Sequence, residues 1–207
     1  AIPGANDGAS GVGVLMEMAR NMQAKRPGVG VDIIFFDAED QGIPEFETRY
    51  QDNTWCLGAQ HWAKTPHVMF YRAKYGILLD MVGNANPRYT KEEVSRTFAP
   101  GLMNKVWDVA NQLEYSSSFV NENTPAILDD HLYVNQIAQI PMVDIVQNQP
   151  GVSFFEHWHT MNDNMDVIDK QALAQVAHVV FTSYLINELN ISFYLLPLTF
   201  GAYSLMI

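Results

Sequence analysis

Acidic side chains follow an apolar run of the sequence and form a candidate site there. Residues 31–36 (VDIIFF) are mostly apolar and β-rich, and they lead into Asp37, Glu39 and Asp40. Ligands of open α/β sheets bind outside the carboxyl ends of the strands, so the position of these carboxylates makes them candidates. Two bare carboxylates about 4 Å apart repel by roughly 4 kcal/mol at an effective dielectric constant of 20. Such a cluster therefore needs shared protons or a divalent cation.

Further carboxylates and a histidine occupy similar junctions. Asp7 lies in a glycine-rich turn, Asp80 lies near the end of a second apolar run, and Asp129 and Asp130 precede an apolar helical segment. His159 offers a nitrogen ligand, which favours zinc over magnesium or calcium. Taken alone, Asp7 would be interpreted as a helix cap and His159 as a surface loop residue. Together these residues could converge on a metal ion.

The elements that must position these side chains alternate between helices and strands. Apolar residues recur at helical spacing in the first helix, at Val12, Leu15, Met16, Ala19 and Met22. The pattern predicts strands at residues 31–36, 75–82 and 142–146, and helices near residues 55–64, 100–113, 132–138 and 169–189. This alternation predicts an α/β sheet, and the unbroken apolar strands indicate a parallel sheet buried on both faces.

Composition narrows the possible partners. Twelve basic and 23 acidic residues give a net charge of -11, and no run of Lys or Arg is present, which excludes a nucleic-acid partner. The single cysteine, Cys56, excludes an intrachain disulfide and is interpreted as structural. The glycines of residues 8–13 lack the spacing of a dinucleotide-binding loop. We infer instead that they allow the backbone to approach a metal ion closely.

Three separated motifs resemble the metal-site pattern of the M28 zinc peptidase superfamily. They are residues 3–11 (PGANDGASG), 35–40 (FFDAED) and 158–160 (WHT). Within this superfamily the chain resembles the glutaminyl cyclases, most of all those of Bacteroidetes, through residues 75–83 and 128–136. The resemblance implies an α/β three-layer sandwich of the zinc-exopeptidase type, with a mixed, mostly parallel central sheet.

The resemblance also assigns the metal ligands. Matched position by position, the three ligands of one zinc ion fall on Asp7, Asp40 and His159, and the proton-shuttling glutamate falls on Glu39. Asp40 is an aspartate where many relatives have glutamate, and its shorter reach is expected to draw the metal toward its strand. Asn162 stands where the family often has an aspartate, which affects only a local cap or hydrogen bond.

Supporting residues follow from the same match. Asp80 and Asp130 correspond to the two aspartates that hydrogen-bond around the catalytic glutamate, and Trp158 corresponds to the aromatic wall of the substrate pocket. His131, which follows Asp130, is a candidate supporting residue of the site.

The activity that the resemblance implies is cyclisation of the N-terminal glutamine of peptides and proteins to pyroglutamate, with release of ammonia. Zinc would polarise the γ-carbonyl while Glu39 moves the protons. The expected partners are peptides or proteins with an N-terminal glutamine, and no stable partner is predicted. The resemblance to the Bacteroidetes enzymes also implies a periplasmic location, or a membrane anchor facing the periplasm.

Two alternatives remain open. An M28 aminopeptidase would hold two zinc ions bridged by Asp7, with Asp80 as a further ligand and Glu39 activating a metal-bound water. The stretches around Asp80 and Asp130 favour the cyclase branch. A catalytically silent homologue that binds peptide termini is the other alternative, and the intact Glu39 argues against it.

The two ends of the chain carry separate expectations. Relatives have roughly a hundred further residues before the first matched motif, including a His-x-Asp segment and the first strands of the sheet, so we expect this chain to lack those strands. We assign residues 1–189 to one zinc-dependent domain and leave residues 190–207 as an apolar tail of unassigned role. Pro197 and Gly201 interrupt that tail, which favours a packed strand or coil over a bilayer span.

Overall fold

The computed structural model describes residues 2–24, 28–40, 42–151 and 154–189. Helices and strands alternate along most of this range, which confirms the predicted α/β class. The elements are α1 (Ala9–Ala24), α2 (Leu57–Lys64), β1 (Gly76–Asp80), β2 (Tyr89–Glu92), α3 (Glu93–Phe98), α4 (Pro100–Gln112), β3 (Phe119–Thr124), α5 (Asp130–Tyr133), a π-helical turn (Val134–Ala138), β4 (Met142–Val146), a 3-10 turn (Met165–Val167) and α6 (Lys170–Leu189).

Two parallel strand pairs make up the β-structure of the described residues. β1 pairs with β4, in register from Gly76 opposite Met142 to Asp80 opposite Val146. β2 pairs with β3, and a bridge between Tyr89 and Gln147 connects this pair to the end of β4. The β2 and β3 sequences, YTKE and FVNENT, are largely polar and lack the apolar runs that were used to predict strands. Both strands were therefore missed.

Helices cover both faces of the β1–β4 pair and create three layers. One face presents Leu79, Val143 and Ile145 to the main core, which α1, α4 and α6 also build. The opposite face presents Leu78 and Met142 to a smaller cluster that includes residues of α2 and the π-helical turn. Successive side chains of a strand point to opposite faces, so each strand contributes to both clusters. This arrangement agrees with the predicted sandwich.

Helix α1 forms where it was predicted but buries a different stripe. Its buried residues are Ser10, Gly11, Val14, Met18 and Met22. Met16 is 64% exposed, and Val12 lines a cavity rather than the main core. Gly11 sets this orientation, because a Cβ atom there would lie 2.3 Å from the carbonyl oxygen of Leu79. The absence of that atom lets the helix pack directly on β1.

The strand predicted at residues 31–36 is wrong, because the structure has no strand there. Val31 and Phe35 are 39% and 59% exposed, whereas a strand buried on both faces would hide them. Residues 32–36 line a cavity of about 510 Å³ that β1 also lines. A strand requires a neighbour that satisfies its backbone groups, and among the described residues no strand pairs with this run. The run lines the cavity beside β1 without joining the sheet.

The remaining predictions agree with the structure to within a few residues. The strand predicted at 142–146 coincides with β4, and the one predicted at 75–82 contains β1. The helix predicted at 132–138 is formed by α5 and the π-helical turn together. Residues 190–207 lie outside the described residues, so the assigned domain limits stay a prediction. None of the helices in the described range combines the length and apolarity that crossing a bilayer requires.

Candidate metal and acid–base site

Asp7, Asp40 and His159 converge from three distant segments of the chain. Nε2 of His159 lies 3.1 Å from Oδ1 of Asp40 and 3.5 Å from Oδ2 of Asp7. Two ligands of one tetrahedral zinc ion, each bound at about 2.0 to 2.1 Å, lie about 3.3 Å apart. The observed separations bracket that value. The structure thus brings all three predicted ligands together, with their ligand atoms within 4.8 Å of one another.

The charge balance of this group also favours a cation. Burial, followed by the charge of Asp40, raises the pKa of Asp7 to about 6. Oδ2 of Asp7 is buried and has no hydrogen-bond partner. The side chains of His159 and Asp40 remain 37% and 35% exposed, so the group opens to solvent on one side. A metal ion would neutralise the two carboxylates and satisfy the unpaired oxygen.

Asp163 holds the turn that carries Asp7. Its Oδ1 accepts a hydrogen bond from the N–H of Asn6 at 2.7 Å, and its Oδ2 accepts one from the N–H of Asp7 at 3.1 Å. The backbone carbonyl of Asp163 accepts from the N–H of Ala5. Asp163 is fully buried and lies four residues after the ligand His159. The sequence analysis missed this residue and considered its exposed neighbour Asn162, although only the buried carboxylate links the two ligand segments.

Replacing Asp163 with alanine should weaken both folding and zinc binding. The change leaves two backbone N–H groups without acceptors, so we expect the free energy of unfolding to fall by about 2 to 4 kcal/mol. Zinc affinity should fall by about 10 to 100-fold, as is typical when a residue supporting a ligand is lost. Urea unfolding and zinc competition titration measure the two effects. Asp166→Ala, an exposed change three residues later, is the matched control, and an equal loss there would contradict the assigned role.

Two hydrogen bonds place the Asp7 turn at the carboxyl end of β1. Oδ1 of Asn6 accepts from the N–H of Gly83 at 2.7 Å, and Oγ of Ser10 accepts from the N–H of Val82 at 3.0 Å. Both acceptors are buried. These contacts bring Asp7 toward Asp80, the last residue of β1, which lines the same cavity. These two hydrogen bonds explain how a turn and a strand about 70 residues apart in the chain contribute to one site.

The loop that carries Glu39 and Asp40 is docked on the first turn of α2. The N–H groups of Cys56, Leu57 and Gly58 donate to the carbonyl oxygens of residues 39, 38 and 37, at 3.0 to 3.1 Å. A Cβ atom on Gly58 would lie 2.4 Å from the carbonyl oxygen of Asp37, so this contact requires glycine. Unpaired N–H groups at a helix start need such acceptors. The docking fixes the backbone beneath Glu39.

Left-handed backbone conformations surround the acids. Ala38, Cys56, Met81 and His159 have φ angles of 51°, 54°, 48° and 57°. Each is a site residue or lies next to one along the chain or in space. Non-glycine residues in this region cost of the order of 1 to 3 kcal/mol each, and they persist where the surroundings hold them. Five further non-glycine residues of the described range share this conformation away from the acids, so it does not by itself mark the site: Asn53, Phe70, Asn86, Glu114 and Gln139.

Glu39 lies among several buried acids. Burial, followed by the charge of Asp129, raises the pKa of Glu39 to about 9. Glu39, Cys56 and Asp129 each offer an atom that lies within 4.8 Å of the others, and Sγ of Cys56 is 3.8 Å from Oε1 of Glu39. The thiol is buried, and burial raises its pKa, which agrees with the structural role predicted for Cys56. These surroundings favour the protonated form of Glu39.

The two predicted supporting aspartates occupy different surroundings. Asp80 lines both cavities at the site, and burial, followed by the charge of Asp129, raises its pKa well above the usual range. Burial and then the charge of Asp129 raise the pKa of Asp130 to about 8, while a hydrogen bond from Cys56 opposes this rise. Of these two neighbouring aspartates, it is Asp129 that has a carboxyl oxygen within 4.8 Å of ligand atoms of both Glu39 and Cys56. The sequence analysis named Asp129 as a junction residue but gave the role to Asp130, which stays a prediction.

Trp158 forms part of an apolar wall beside the acids. Its ring stacks on His159 with centroids 4.1 Å apart and meets Phe154 edge-on at 4.8 Å. A cavity of about 630 Å³ is lined by these two aromatic residues, by Leu128 and by the acids. Trp158 is 38% exposed, so its surface is available to a ligand. The predicted role in substrate binding stays a prediction.

Comparison with known proteins places this geometry in a family. The sequence pattern of Peptidase family M28 matches residues 1–184. A crystal structure of Bacteroides thetaiotaomicron glutaminyl cyclase bound to N-acetylhistamine is 48% identical to this chain with a TM-score of 0.85, covering 89% of this chain and 63% of its own. A Zn-dependent exopeptidase from Parabacteroides distasonis is also 48% identical, with a TM-score of 0.84, covering 87% of this chain and 63% of its own.

A curated relative is more distant. Aminopeptidase YwaD of Bacillus subtilis is 26% identical over 184 residues, which span 86% of this chain and 36% of that protein. The chain therefore spans less than two thirds of the length of each of these relatives. The family match, in contrast, extends over nearly all the described residues and includes every ligand of the candidate metal site. The chain belongs to peptidase family M28.

Proposed function

We propose that the protein cyclises the N-terminal glutamine of peptides and proteins to pyroglutamate and releases ammonia. The observation that carries this proposal is that Glu39, the residue before Asp40 in the chain, lines one cavity together with the candidate metal ligands Asp7, Asp40 and His159. The 48% identity to a solved glutaminyl cyclase supports the same activity. Because the chain spans 63% of that structure, the proposal concerns the whole protein to which these residues belong.

The residues present fit one zinc ion held by Asp7, Asp40 and His159. Two carboxylates and one imidazole form a donor set that suits zinc, with a fourth position left for substrate. In this reaction a bound zinc ion supplies Lewis-acid polarisation of the γ-carbonyl of glutamine.

Glu39 has two tasks in the proposed reaction. The α-nitrogen of the substrate attacks the γ-carbonyl carbon, a new C–N bond closes the ring, and the bond to the side-chain nitrogen breaks. Glu39 accepts the proton that the α-nitrogen loses and donates a proton to the departing ammonia, so the protons balance. The proton that Glu39 takes up in the first task is the one that it donates in the second. Burial and the charge of Asp129 raise the pKa of Glu39 and so favour the form that holds this proton between the two tasks.

Other residues of the chain orient the substrate and limit water. Trp158 and Phe154 present an aromatic wall to the cavity that contains Glu39. An apolar wall of this kind can hold the methylene groups of glutamine while the polar end faces the acids. The buried carboxyl groups around Glu39 can accept hydrogen bonds from the α-amino group of the substrate.

Two peptides and one variant test the proposed function. The full-length, zinc-loaded protein is incubated with a peptide that begins with glutamine and with one that begins with leucine, and both are followed by mass spectrometry. Loss of about 17 Da, the mass of ammonia, from the first peptide alone is expected, and Glu39→Gln should prevent it. Removal of the N-terminal residue from either peptide would establish an aminopeptidase. No change in either peptide would favour a homologue that only binds peptide termini.

We further propose that the substrates are exported proteins and that the enzyme acts in the periplasm, either free or anchored to the membrane. The support is the resemblance to the Bacteroidetes cyclases, which the 48% identity to the Bacteroides thetaiotaomicron enzyme strengthens. Fractionation of cells that produce the full-length protein tests this location. Recovery of the protein in the cytoplasmic fraction would contradict it.

A further inference from the structure

Three buried polar residues form a connected array behind the site. Glu92, His131 and Asp144 come from the end of β2, from α5 and from β4, and each is 0% exposed. Nε2 of His131 lies 3.2 Å from Oε1 of Glu92. Its other ring nitrogen, Nδ1, lies 3.9 Å from Oδ2 of Asp144. One histidine thus connects two carboxyl groups in the interior.

Glu92 provides a fixed anionic acceptor at one end of the array. Its carboxylate accepts hydrogen bonds from the N–H groups of Val94 and Ser95 and so caps α3. These two N–H groups and the facing Nε2 of His131 favour the ionised form of Glu92. An ionised carboxylate at this position draws the ring proton of His131 to Nε2. Nδ1 then presents a lone pair toward Asp144.

Asp144 closes the other end of the array. Both of its carboxyl oxygens, and Nδ1 of His131, are buried without a hydrogen-bond partner. An ionised carboxylate in such a place would be costly, whereas a neutral acid can donate its proton to the facing nitrogen. Burial, followed by the charge of Asp129, raises the pKa of Asp144 well above its usual range. A movement of less than 1 Å would complete the hydrogen bond, because 3.9 Å separates the two atoms.

Asp129 connects this array to the proposed site. Asp129, His131 and Asp144 each offer an atom within 4.8 Å of the others. Asp129 is also grouped at the same distance with Glu39 and Cys56. One oxygen of Asp129 accepts from the N–H of Asp130 at the start of α5, which fixes the direction of the carboxyl group. His131 and Asp144 therefore approach the same aspartate, Asp129, that approaches Glu39.

We propose that Glu92, His131 and Asp144 are positioning residues that hold Asp129 beside Glu39. In this array Nε2–H of His131 donates to Glu92, and a neutral Asp144 donates to Nδ1. The effect on turnover rests on the proposed function, whereas the hydrogen-bonding pattern of His131 does not. No residue of the array touches substrate in this proposal, and each acts through Asp129.

Two substitutions of Asp144 separate positioning from simple packing. Asp144→Asn keeps a neutral donor for Nδ1, so kcat for the glutamine peptide should stay within about threefold of the unchanged protein. Asp144→Leu removes the donor, and kcat should fall by about 10 to 100-fold while KM changes by less than about threefold. The urea midpoint of the leucine variant should be unchanged or higher, because well-packed apolar residues often replace buried polar groups without loss. Gln147→Leu, a buried polar residue just after β4, is the control and should keep full activity.

The same two substitutions of Asp144 can also contradict the proposal. If the leucine variant loses activity only in proportion to its loss of folded protein, or if the asparagine variant is as slow as the leucine variant, Asp144 does not position Asp129 as proposed. Unchanged kcat in both variants would also overturn the proposal.

A spectroscopic measurement tests the array independently of turnover. The protein is labelled with nitrogen-15 at its histidines, and the signals of His131 are assigned by their loss in His131→Gln. We expect a protonated Nε2 and an unprotonated Nδ1, with Nδ1 shifting in Asp144→Leu. Two protonated ring nitrogens, the reverse tautomer, or a second bound metal ion per chain would overturn the array. If the protein shows no cyclase activity but this pattern holds, the proposed function fails and the hydrogen-bonding array stands.

Discussion

Glu39→Gln is expected to lower kcat for a glutamine-initiated peptide by about 10² to 10⁴-fold, the range that a positioned general acid–base group contributes. Glutamine has nearly the same shape as glutamic acid but can neither accept nor release the proton. KM should change by less than about threefold, because the apolar wall formed by Trp158 and Phe154 is unaltered. Steady-state kinetics of the full-length protein with ammonia detection measures both constants.

Zinc content is the control for this variant. Glu39 is not among the three ligands at the metal spacing, so the glutamine variant should retain one zinc ion per chain. A variant that loses its metal would show that the residue supports the ligands rather than moving protons. Full activity of the variant would remove Glu39 from the mechanism.

His159→Ala is expected to abolish tight zinc binding and, with it, turnover. The ring is the only nitrogen donor of the group formed with Asp7 and Asp40, and it lies 3.1 and 3.5 Å from the two carboxylates. Loss of residues that merely support a ligand already lowers affinity by about 10 to 100-fold, so loss of the ligand itself should exceed about 100-fold. Competition titration with a zinc chelator measures the affinity. Elemental analysis measures the metal that remains.

The thermal midpoint gives a second measure of zinc binding. Added zinc should raise the midpoint of the unchanged protein, because a ligand that binds only the folded state stabilises it, and should leave that of His159→Ala unmoved. His157→Ala is the matched control, since it removes an imidazole from the same loop without touching the ligand group. A zinc response in His159→Ala equal to that of the control would mean that the metal binds elsewhere.

Which aspartate faces Glu39 could not be predicted from the sequence, because Asp129 and Asp130 are adjacent and chemically identical. The choice depends on where α5 begins. Asp129 is the residue before the helix, its extended backbone turns its side chain back to accept from the N–H of Asp130, and this leaves it grouped with Glu39. Asp130 is the first helical residue and is in no such group with Glu39 among the described residues. A boundary shift of one residue would exchange the two roles.

Which face of α1 is buried could not be predicted from the sequence either. The apolar residues of this helix occupy more than one face, so periodicity predicts the helix but not which face is buried. The structure buries the face that contains Gly11, because only a residue without a side chain permits the close contact with Leu79. Val12 and Leu15 instead line the cavity between α1 and residues 32–36. The close contact between Gly11 and the backbone of Leu79 determines which face of α1 is buried, and the hydrophobic pattern alone does not.

The sequence by itself predicted the α/β class, the long helices and the strands β1 and β4 from apolar periodicity, and it predicted the three candidate metal ligands from motifs that resemble the family. Tertiary structure decided whether residues 31–36 form a strand, which acid faces Glu39, and that Asp163 holds the Asp7 turn. Each of these depends on partners more than 15 residues away in the chain, such as β1 or the N–H groups of the Asp7 turn. Local sequence specifies the chemical groups, whereas long-range contacts determine which groups meet.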